Sequence, residues 1–391
     1  MFARKIYPTL KEHLKSPHIT VLTGMRRTGK TTAVKFLMGE LDSENKLYLD
    51  FERLDNRDLF SQRNYDAIAN SLGQLGLNLE KRAYLFLDEI QLVKNIPSVL
   101  KYLYDHYKIK FVVTGSSSYY LKNFFSESLS GRKKIFELFP LDFSEFLDFK
   151  SIVHKDGSFF ENAFNKVEYE RLLGYYDEFV AFGGFPEVVL IDKNEEKKDL
   201  LFDILDSYIR IDIKTLADFR NLDNVQKLLK MLSQRVGTRV DYSKLARLSG
   251  ISRETVKNYI DFFEQTYIIS RVSVLTKNPD REIVKAQKLY FCDNGLLDIL
   301  SDINSGSKFE NAIFCQLRSH GSIQYYATKN GMEIDFVLDG KMAIEVKESP
   351  LEQDRKKMER ISAIAGVKNS RLVGRNEVPN FDDYIWGGEI R

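Results

Sequence analysis

The sequence predicts an α/β protein built on a parallel β-sheet, and three observations predict it. The first 150 residues alternate short β-branched or apolar runs with longer amphipathic ones, the pattern of a buried parallel sheet covered by helices. Within them, ITVLTG runs into GMRRTGKTT, a complete G-x-x-x-x-G-K-[ST] loop set between a strand and a helix. A later apolar strand, Ala83 to Leu87, ends in Asp88-Glu89.

The strands of this core are ITVLTG, KLYLDF, AYLFLDE, KFVVTGS and KKIFELF. From Leu141 to about Arg220 the pattern turns helical, broken sharply at Gly183-Gly184-Phe185-Pro186, and reads as a helical lid or connector. Between Leu222 and Leu275 helical segments precede an extended VSVLT run. In RVDYSKLARLSGISRETVKNYIDFFEQ, Leu245, Ala246 and Leu248 end one apolar face, and Gly250 sits in a tight turn. Val256, Tyr259, Ile260 and Phe263 then repeat at helical spacing. This is a helix-turn-helix, and the strands after it suggest a wing. The turn-rich SDINSGSK separates it from a last segment with a helix, FENAIFCQLRSH, and several strands, a small α/β domain. The expected division is therefore a core at 1–150, a connector at 151–221, a winged helix-turn-helix at 222–305 and the small domain at 306–391.

A chain of 391 residues exceeds one ordinary core. With 43% hydrophobic and 29% charged residues, it has the composition of folded globular domains and not of disordered chain. Its net charge of +2 leaves any nucleic acid to be held by local basic patches. Cys292 and Cys315 lie in apolar contexts without metal or redox spacing and read as reduced core residues. The amino terminus lacks a signal-peptide apolar segment, and no run approaches the ~18 apolar residues of a membrane span, so the expectation is a cytoplasmic protein with no membrane partner.

The glycine-rich loop carries its own chemistry. Gly24 and Gly29 let the backbone of Gly24, Met25, Arg26, Arg27, Thr28, Gly29, Lys30, Thr31 and Thr32 wrap a nucleotide's phosphates. Lys30 is the cation for the β- and γ-phosphates of ATP, and Thr31 the hydroxyl for Mg²⁺. Asp88 is placed to bind Mg²⁺ and Glu89 to polarise the attacking water. Gln91 either tunes that water or faces solvent. The strand Lys110 to Val113 runs into Thr114-Gly115-Ser116-Ser117-Ser118, which sets a γ-phosphate-sensing hydroxyl at Thr114 or Ser116 against an ordinary Ser-rich helix cap. Arg132, in SLSGRKK, is a candidate for neutralising transition-state charge, within the subunit or across a homo-oligomer interface; its alternative is a solvated basic turn.

Taken together, GMRRTGKTT, YLFLDEIQ, VVTGSSS, LSGR, LFPLDFSEFL, GGFPEVV and YIRIDI resemble the prokaryotic AAA+-type ATPases of the archaeal-ATPase group, related to the signal-transducing STAND class. The resemblance covers essentially the whole chain. It implies a P-loop core, a helical segment, a winged helix and a C-terminal nuclease-like domain. It also implies Lys30 and Thr31 at phosphate and Mg²⁺, Asp88 and Glu89 in hydrolysis, and Thr114 to Ser116 as a sensor. Roles on DNA, in defence and in signalling all fall within it.

The segment Glu310…Glu333-Ile334-Asp335…Glu345-Val346-Lys347 resembles the PD-(D/E)XK nuclease fold. Side chains two apart on a strand share a face, so Glu345 and Lys347 can hold a metal and a water while Asp335 and Glu310 reach the same metal. This requires Asp335 and Glu345 on one face. A two-residue Asp339-Gly340 turn would separate them. A three-residue Leu338-Asp339-Gly340 loop, pairing Val337 with Lys341 and Asp335 with Ala343, unites them, and is the expected register because a one-residue slip exposes apolar side chains worth roughly 1.5–3 kcal/mol each. The alternatives are a surface hairpin or a fold retained for binding.

Three functions remain open at this point. The first is an ATP-driven switch or motor engaging DNA, single-stranded or branched DNA included, through the winged-helix and nuclease-like parts. The second is a protein-interaction switch with a protein partner. The third is an ATP-regulated metal nuclease.

Overall fold

A computed structural model describes residues 2–115, 129, 131–155, 163–213, 222–276, 286–328 and 330–391. The expected hydroxyls Ser116, Ser117 and Ser118 lie outside these. The chain forms two compact units. One comprises Met1–Phe139, Arg210–Asp218 and Gln265–Tyr267; the other comprises Pro140–Ile209, Phe219–Glu264 and Ile268–Arg391.

Unit one carries the α/β core, and its first segment ends at Phe139, short of the expected residue 150. Its strands are β1 (Ile19–Thr23), β2 (Lys46–Asp50), β3 (Ala83–Asp88), β4 (Ile109–Gly115) and β5 (Lys133–Glu137), all parallel, in the order β2-β3-β4-β1-β5. Helices α1 (Tyr7–His13), α2 (Lys30–Gly39), α3 (Leu54–Phe60), α4 (Tyr65–Gln74) and α5 (Ile96–His106) cover it. Side chains alternate between two apolar layers. Val21, Leu85, Leu87 and Val113 pack with Ile68, Leu72, Val99 and Leu103 of α4 and α5. Leu22, Phe86 and Val112 pack with Leu10, Val34 and Leu37 of α1 and α2. Burial on both faces is why these strands read as continuous apolar runs. Because every strand runs the same way, the loop after β1, the acids after β3 and Thr114 near the end of β4 all emerge at one edge.

Unit two begins with α6 (Phe143–Phe149), α7 (Lys166–Phe182), α8 (Pro186–Val189) and α9 (Asn194–Ser207). Then follow α10 (Leu222–Ser233), α11 (Tyr242–Ser249), α12 (Arg253–Gln265), β6 (Ile269–Val274) and β7 (Lys288–Phe291). The remaining elements are α13 (Asn294–Leu300), α14 (Ser305–Leu317), β8 (Ile323–Ala327), β9 (Glu333–Leu338), β10 (Met342–Lys347), α15 (Glu352–Ala365), β11 (Asn369–Gly374) and β12 (Ile385–Trp386). The turn between α11 and α12 has Gly250 in the left-handed region at φ 79°, with its N–H donated to the Ala246 carbonyl. Val256, Tyr259, Ile260 and Phe263 of α12 are buried. Leu248 is not: it is 44% exposed, because the eight-residue α11 buries only the narrow stripe of Leu245 and Ser249.

Two features depart from the sequence reading. Strands β6 to β12 form one sheet, ordered β12-β11-β10-β9-β8-β6-β7, with β6 paired antiparallel to β7 and parallel to β8. The division expected between residues 305 and 306 therefore falls inside a continuous sheet. The β9–β10 hairpin pairs Leu338 with Met342 and Phe336 with Ile344, so its three-residue loop is Asp339-Gly340-Lys341. Asp339 and Gly340 both have positive φ (50° and 65°), and the Lys341 N–H closes onto the Leu338 carbonyl at 2.9 Å. The loop is displaced from the expected one, which shifts the pairing by two residues and leaves the faces as they were.

The Gly183-Gly184 break is built around a buried carboxylate. Asp293 caps α13, accepting the N–H groups of Gly295 at 2.8 Å and Leu296 at 3.3 Å, and also takes the Gly184 N–H at 2.7 Å. Gly183 has φ 74°, and a Cβ there would fall 2.1 Å from the Asp293 carboxylate. Gly183→Ala should thus destabilise the chain by more than about 2 kcal/mol, from strain and collision together. Gly174→Ala, in α7 with nothing within 4 Å, should stabilise it by about 0.5–1 kcal/mol. Thermal and denaturant melts of the two variants should move in opposite directions. Burial also pushes the Asp293 carboxyl up to about 6, against the pull of its backbone donors. The folded chain then holds a proton that the unfolded chain has released between pH 4 and 6. Stability should fall as pH rises through that window, by roughly 3 kcal/mol relative to Asp293→Asn; urea midpoints at a series of pH values check this.

Candidate functional site

The loop leaving β1 is held open by backbone geometry. Gly24 has φ 151°, and a Cβ on it would lie 2.1 Å from the Leu138 carbonyl oxygen; Arg27 and Gly29 also have positive φ, at 62° and 95°. Thr28 closes the turn by donating its hydroxyl to the Met25 carbonyl at 2.9 Å. Lys30 is buried, 5% exposed, and its ammonium curls back onto the carbonyls of Gly24 and Met25 at 3.1 and 3.0 Å. The loop ends on the ten-residue α2, whose N-terminal dipole adds about half a positive charge.

Asp88 stands opposite. Its side chain is buried, and three hydroxyls donate to it: Thr31 to Oδ2 at 2.7 Å, Tyr48 to Oδ2 at 2.9 Å, and Thr114 to Oδ1. Strand β4 lies between β1 and β3, which is what puts Thr114 within reach. Burial and the Asp88 carboxylate hold the Tyr48 phenol well above its ordinary pKa, so it remains a donor. Glu89 follows with φ 54°, its N–H donated to the Thr114 hydroxyl at 3.1 Å, and Gln91 donates its amide to the Glu89 carboxylate. Arg26 and Thr31 are half-buried, whereas Arg27 and Thr32 are exposed.

The structure thus gathers Gly24 to Thr32, Asp88, Glu89 and Thr114 at one edge. It does not bring Arg132 there. Arg132 precedes β5, and its carbonyl accepts the Ile19 N–H at the other end of the strands, about 16 Å away for five residues of strand. Its guanidinium pairs with Asp105 at 3.0 Å. Two residues not foreseen join the edge. Tyr48 is one. Arg4 is the other: buried, it donates to the carbonyls of Thr28 at 3.0 Å and Phe139 at 2.9 Å and so ties the loop down.

Comparison with known proteins now bears on this geometry. Residues 16–147 match the family model described as an AAA domain. An uncharacterized protein of Methanocaldococcus jannaschii is 31% identical over 384 residues, which cover 92% of this chain and 82% of that protein. The chain belongs to the AAA-type P-loop ATPases. A second model, a domain of unknown function, matches residues 173–307 of the ATPase. An uncharacterized protein of Haemophilus influenzae is 25% identical over 86% of this chain and 85% of its own length. Among solved structures, the Aeropyrum pernix ORC1 protein in complex with DNA aligns over 77% of this chain and 92% of its own, with 13% identity and a TM-score of 0.33. No function is carried over from so distant a likeness. No helix among the described residues is long and apolar enough to cross a membrane.

The C-terminal acids lie in unit two. Continuing the hairpin register by one step sets Asp335 across from Glu345 on one face, and Asp335 Oδ2 accepts the Val346 N–H at 3.0 Å. Lys347 donates to Glu345 Oε1 at 2.8 Å. Glu310, on α14, accepts the Tyr290 hydroxyl at 2.7 Å. Burial, and then the neighbouring Asp335, pushes the Glu310 carboxyl up to about 7, and Glu345 is raised by the same causes. Among the described residues, no group of three His, Cys, Asp or Glu side chains is arranged to hold a metal ion. Lysines engage all three of these acids, Lys288 meeting Glu310 and Asp335 and Lys347 meeting Glu345.

Thr114→Val should remove one donor from the buried Asp88 carboxylate and leave the Glu89 N–H without its acceptor, costing about 1–3 kcal/mol. Thr114→Ser should stay close to the parent. Denaturant unfolding of the nucleotide-free chain compares the two.

Proposed function

We propose that this ATPase is a magnesium-dependent, ATP-hydrolysing switch that engages DNA. The observation carrying the hydrolytic part is the direct contact of the Thr31 hydroxyl with Asp88 beside Lys30. In this reading the ATPase core is followed by a helical connector, a winged helix-turn-helix and a nuclease-like fold used for binding, the strands of the last two sharing one sheet.

The loop's N–H groups and the start of α2 hold the phosphates, and Lys30 exchanges its carbonyl partners for phosphate oxygens. Thr31 and Asp88 are hard oxygen donors side by side, the chemistry that suits Mg²⁺, and these two residues would hold it. When bound there, the ion neutralises charge developing on the phosphoryl group. Glu89 accepts a hydrogen bond from the attacking water and orients it, while the Gln91 amide holds the Glu89 carboxylate in place. Thr114, bonded to Asp88 and to the Glu89 N–H, links the two acids and is the sensor candidate.

Engagement of DNA rests on α12. Its buried stripe leaves Arg253, Lys257 and Asn258 exposed on the opposite side, and Lys244 and Arg247 of α11 are exposed as well. A helix held by its apolar side with cations and an amide free on the other suits phosphate and base-edge contacts.

Lys30→Ala should abolish ATP-dependent stabilisation, which for the parent at about 100 times Kd amounts to roughly 2.7 kcal/mol. Glu89→Gln should keep that stabilisation and slow turnover on the order of 100-fold or more. Thermal shift and phosphate release, measured on the same samples, separate the two effects. A Lys30→Ala chain that hydrolyses normally would sink the assignment.

Arg253→Glu with Lys257→Glu should weaken duplex binding on the order of tenfold or more and reduce the slope of log K against log salt by about 2. Fluorescence anisotropy at several salt concentrations reads both. Unchanged affinity and slope would give this face to a protein partner instead.

A further inference from the structure

We infer that Lys288 is the resident cation of the acid cluster in the seven-stranded sheet, standing where a divalent metal would have to stand, so that these acids form an internal charge network closed to metal.

Lys288 opens β7, at one edge of the sheet, and its side chain is 4% exposed. Its ammonium lies 3.4 Å from Glu333 Oε2, 3.5 Å from Asp335 Oδ1 and 3.8 Å from Glu310 Oε1. An ammonium has three N–H donors, and here three carboxylates from two elements, β9 and α14, surround one. Burial alone would lower the Lys288 pKa, yet Asp335, Glu310 and Glu333 together hold it above its ordinary value. The Tyr325 ring, with its centroid 5.6 Å from Nζ, adds a face that favours positive charge.

Several of the remaining oxygens of the cluster have donors of their own, and Tyr290 shares Glu310 Oε1 with Lys288. Arg239, whose backbone bridges to Lys288, pairs with Glu333 Oε1. The Tyr290 hydroxyl meets Glu310 Oε1, the Val346 N–H meets Asp335 Oδ2, and Lys347 meets Glu345 Oε1. Within this set, Glu345 Oε2 is the buried oxygen that has no donor, and one such oxygen does not make a binding site. A magnesium-like ion needs oxygens at about 2.0–2.1 Å. An ion close enough to bind Asp335 and Glu310 would sit against the Lys288 ammonium, and the repulsion between them, inside a buried cluster, keeps it out. Lys288→Met, uncharged and one heavy atom shorter, leaves three carboxylates facing the space that the ammonium held.

The test is Mn²⁺ titration of the full, nucleotide-free chain, with free Mn²⁺ followed by electron paramagnetic resonance. The parent, Asp335→Asn, Lys288→Met and the Lys288→Met/Asp335→Asn pair are compared. The parent and Asp335→Asn should bind Mn²⁺ identically, any weak ion near Asp88 being common to both. Lys288→Met should gain one site, at least tenfold tighter than anything Asp335-dependent in the parent, and lose it in the double variant. Its melting temperature should fall below the parent's and recover in Mn²⁺. Mn²⁺ held by the parent and released by Asp335→Asn overturns the inference. So does a folded Lys288→Met chain that gains no site. If Lys288→Met does not fold, the comparison of the parent with Asp335→Asn still decides, and Lys288→Arg, which keeps the charge, should melt near the parent.

Discussion

The arrangement of the ATP edge depends on one buried carboxylate. Asp88 is reached by hydroxyls from three elements, namely α2, β2 and β4, and so ties the three together. Removing a carboxylate from water is costly unless hydrogen bonds replace the lost solvation, so the three donors and the acid require one another. The strand order makes this convergence possible: β3 lies between β2 and β4, and parallel pairing sets all their C-terminal ends at one edge. Glu89 inherits its place from the same bonds, since the Thr114 oxygen that donates to Asp88 also accepts the Glu89 N–H and holds that residue at φ 54°.

The five core strands and their parallel direction were legible in the sequence because both faces of the sheet are buried, which turns each strand into an unbroken apolar run. The order of the strands was not legible, since pairing between runs far apart leaves no local trace. Tyr48 escaped notice for a related reason: a tyrosine inside an apolar strand has the same pattern whether its hydroxyl meets a carboxylate or water. Arg4 escaped because nothing local links a residue before α1 to a loop 24 positions later. The hairpin shows the same boundary of legibility. A one-residue slip turns every side chain over, and the pattern forbids it; a two-residue shift preserves both faces, and the pattern is blind to it. The displaced Asp339-Gly340-Lys341 loop is a shift of that second kind.

The continuity of the second sheet has a physical cause as well. Strands β6 and β7 form an antiparallel pair after the helix-turn-helix segment, and an isolated two-stranded pair is marginal in water. Pairing β6 with β8 supplies a third strand and removes an exposed edge. The turn-rich SDINSGSK suggested a boundary by composition; it instead leads into α14, where Asn304 caps the helix and Phe309, Ile313 and Leu317 are buried. Composition reports where the chain turns, and only pairing reports which strands share a sheet.

The two acid sites of the chain differ in what neutralises them, and that difference separates their chemistry. Around Asp88 the donors are hydroxyls, which are neutral and bring no opposing charge. A hydroxyl also carries lone pairs, so in the proposed magnesium-dependent reading Thr31 would be able to turn from donor to ligand. Around Glu310, Glu333, Asp335 and Glu345 the partners include Lys288, Arg239 and Lys347, whose charges cannot be turned away. Four acids against three cations leave little net charge to draw a divalent ion, and ammonium and guanidinium groups offer no lone pair to bind one. Oxygen-rich carboxylate clusters are therefore not equivalent: neutral hydroxyl partners leave the charge of the acids in place, and cationic partners offset it.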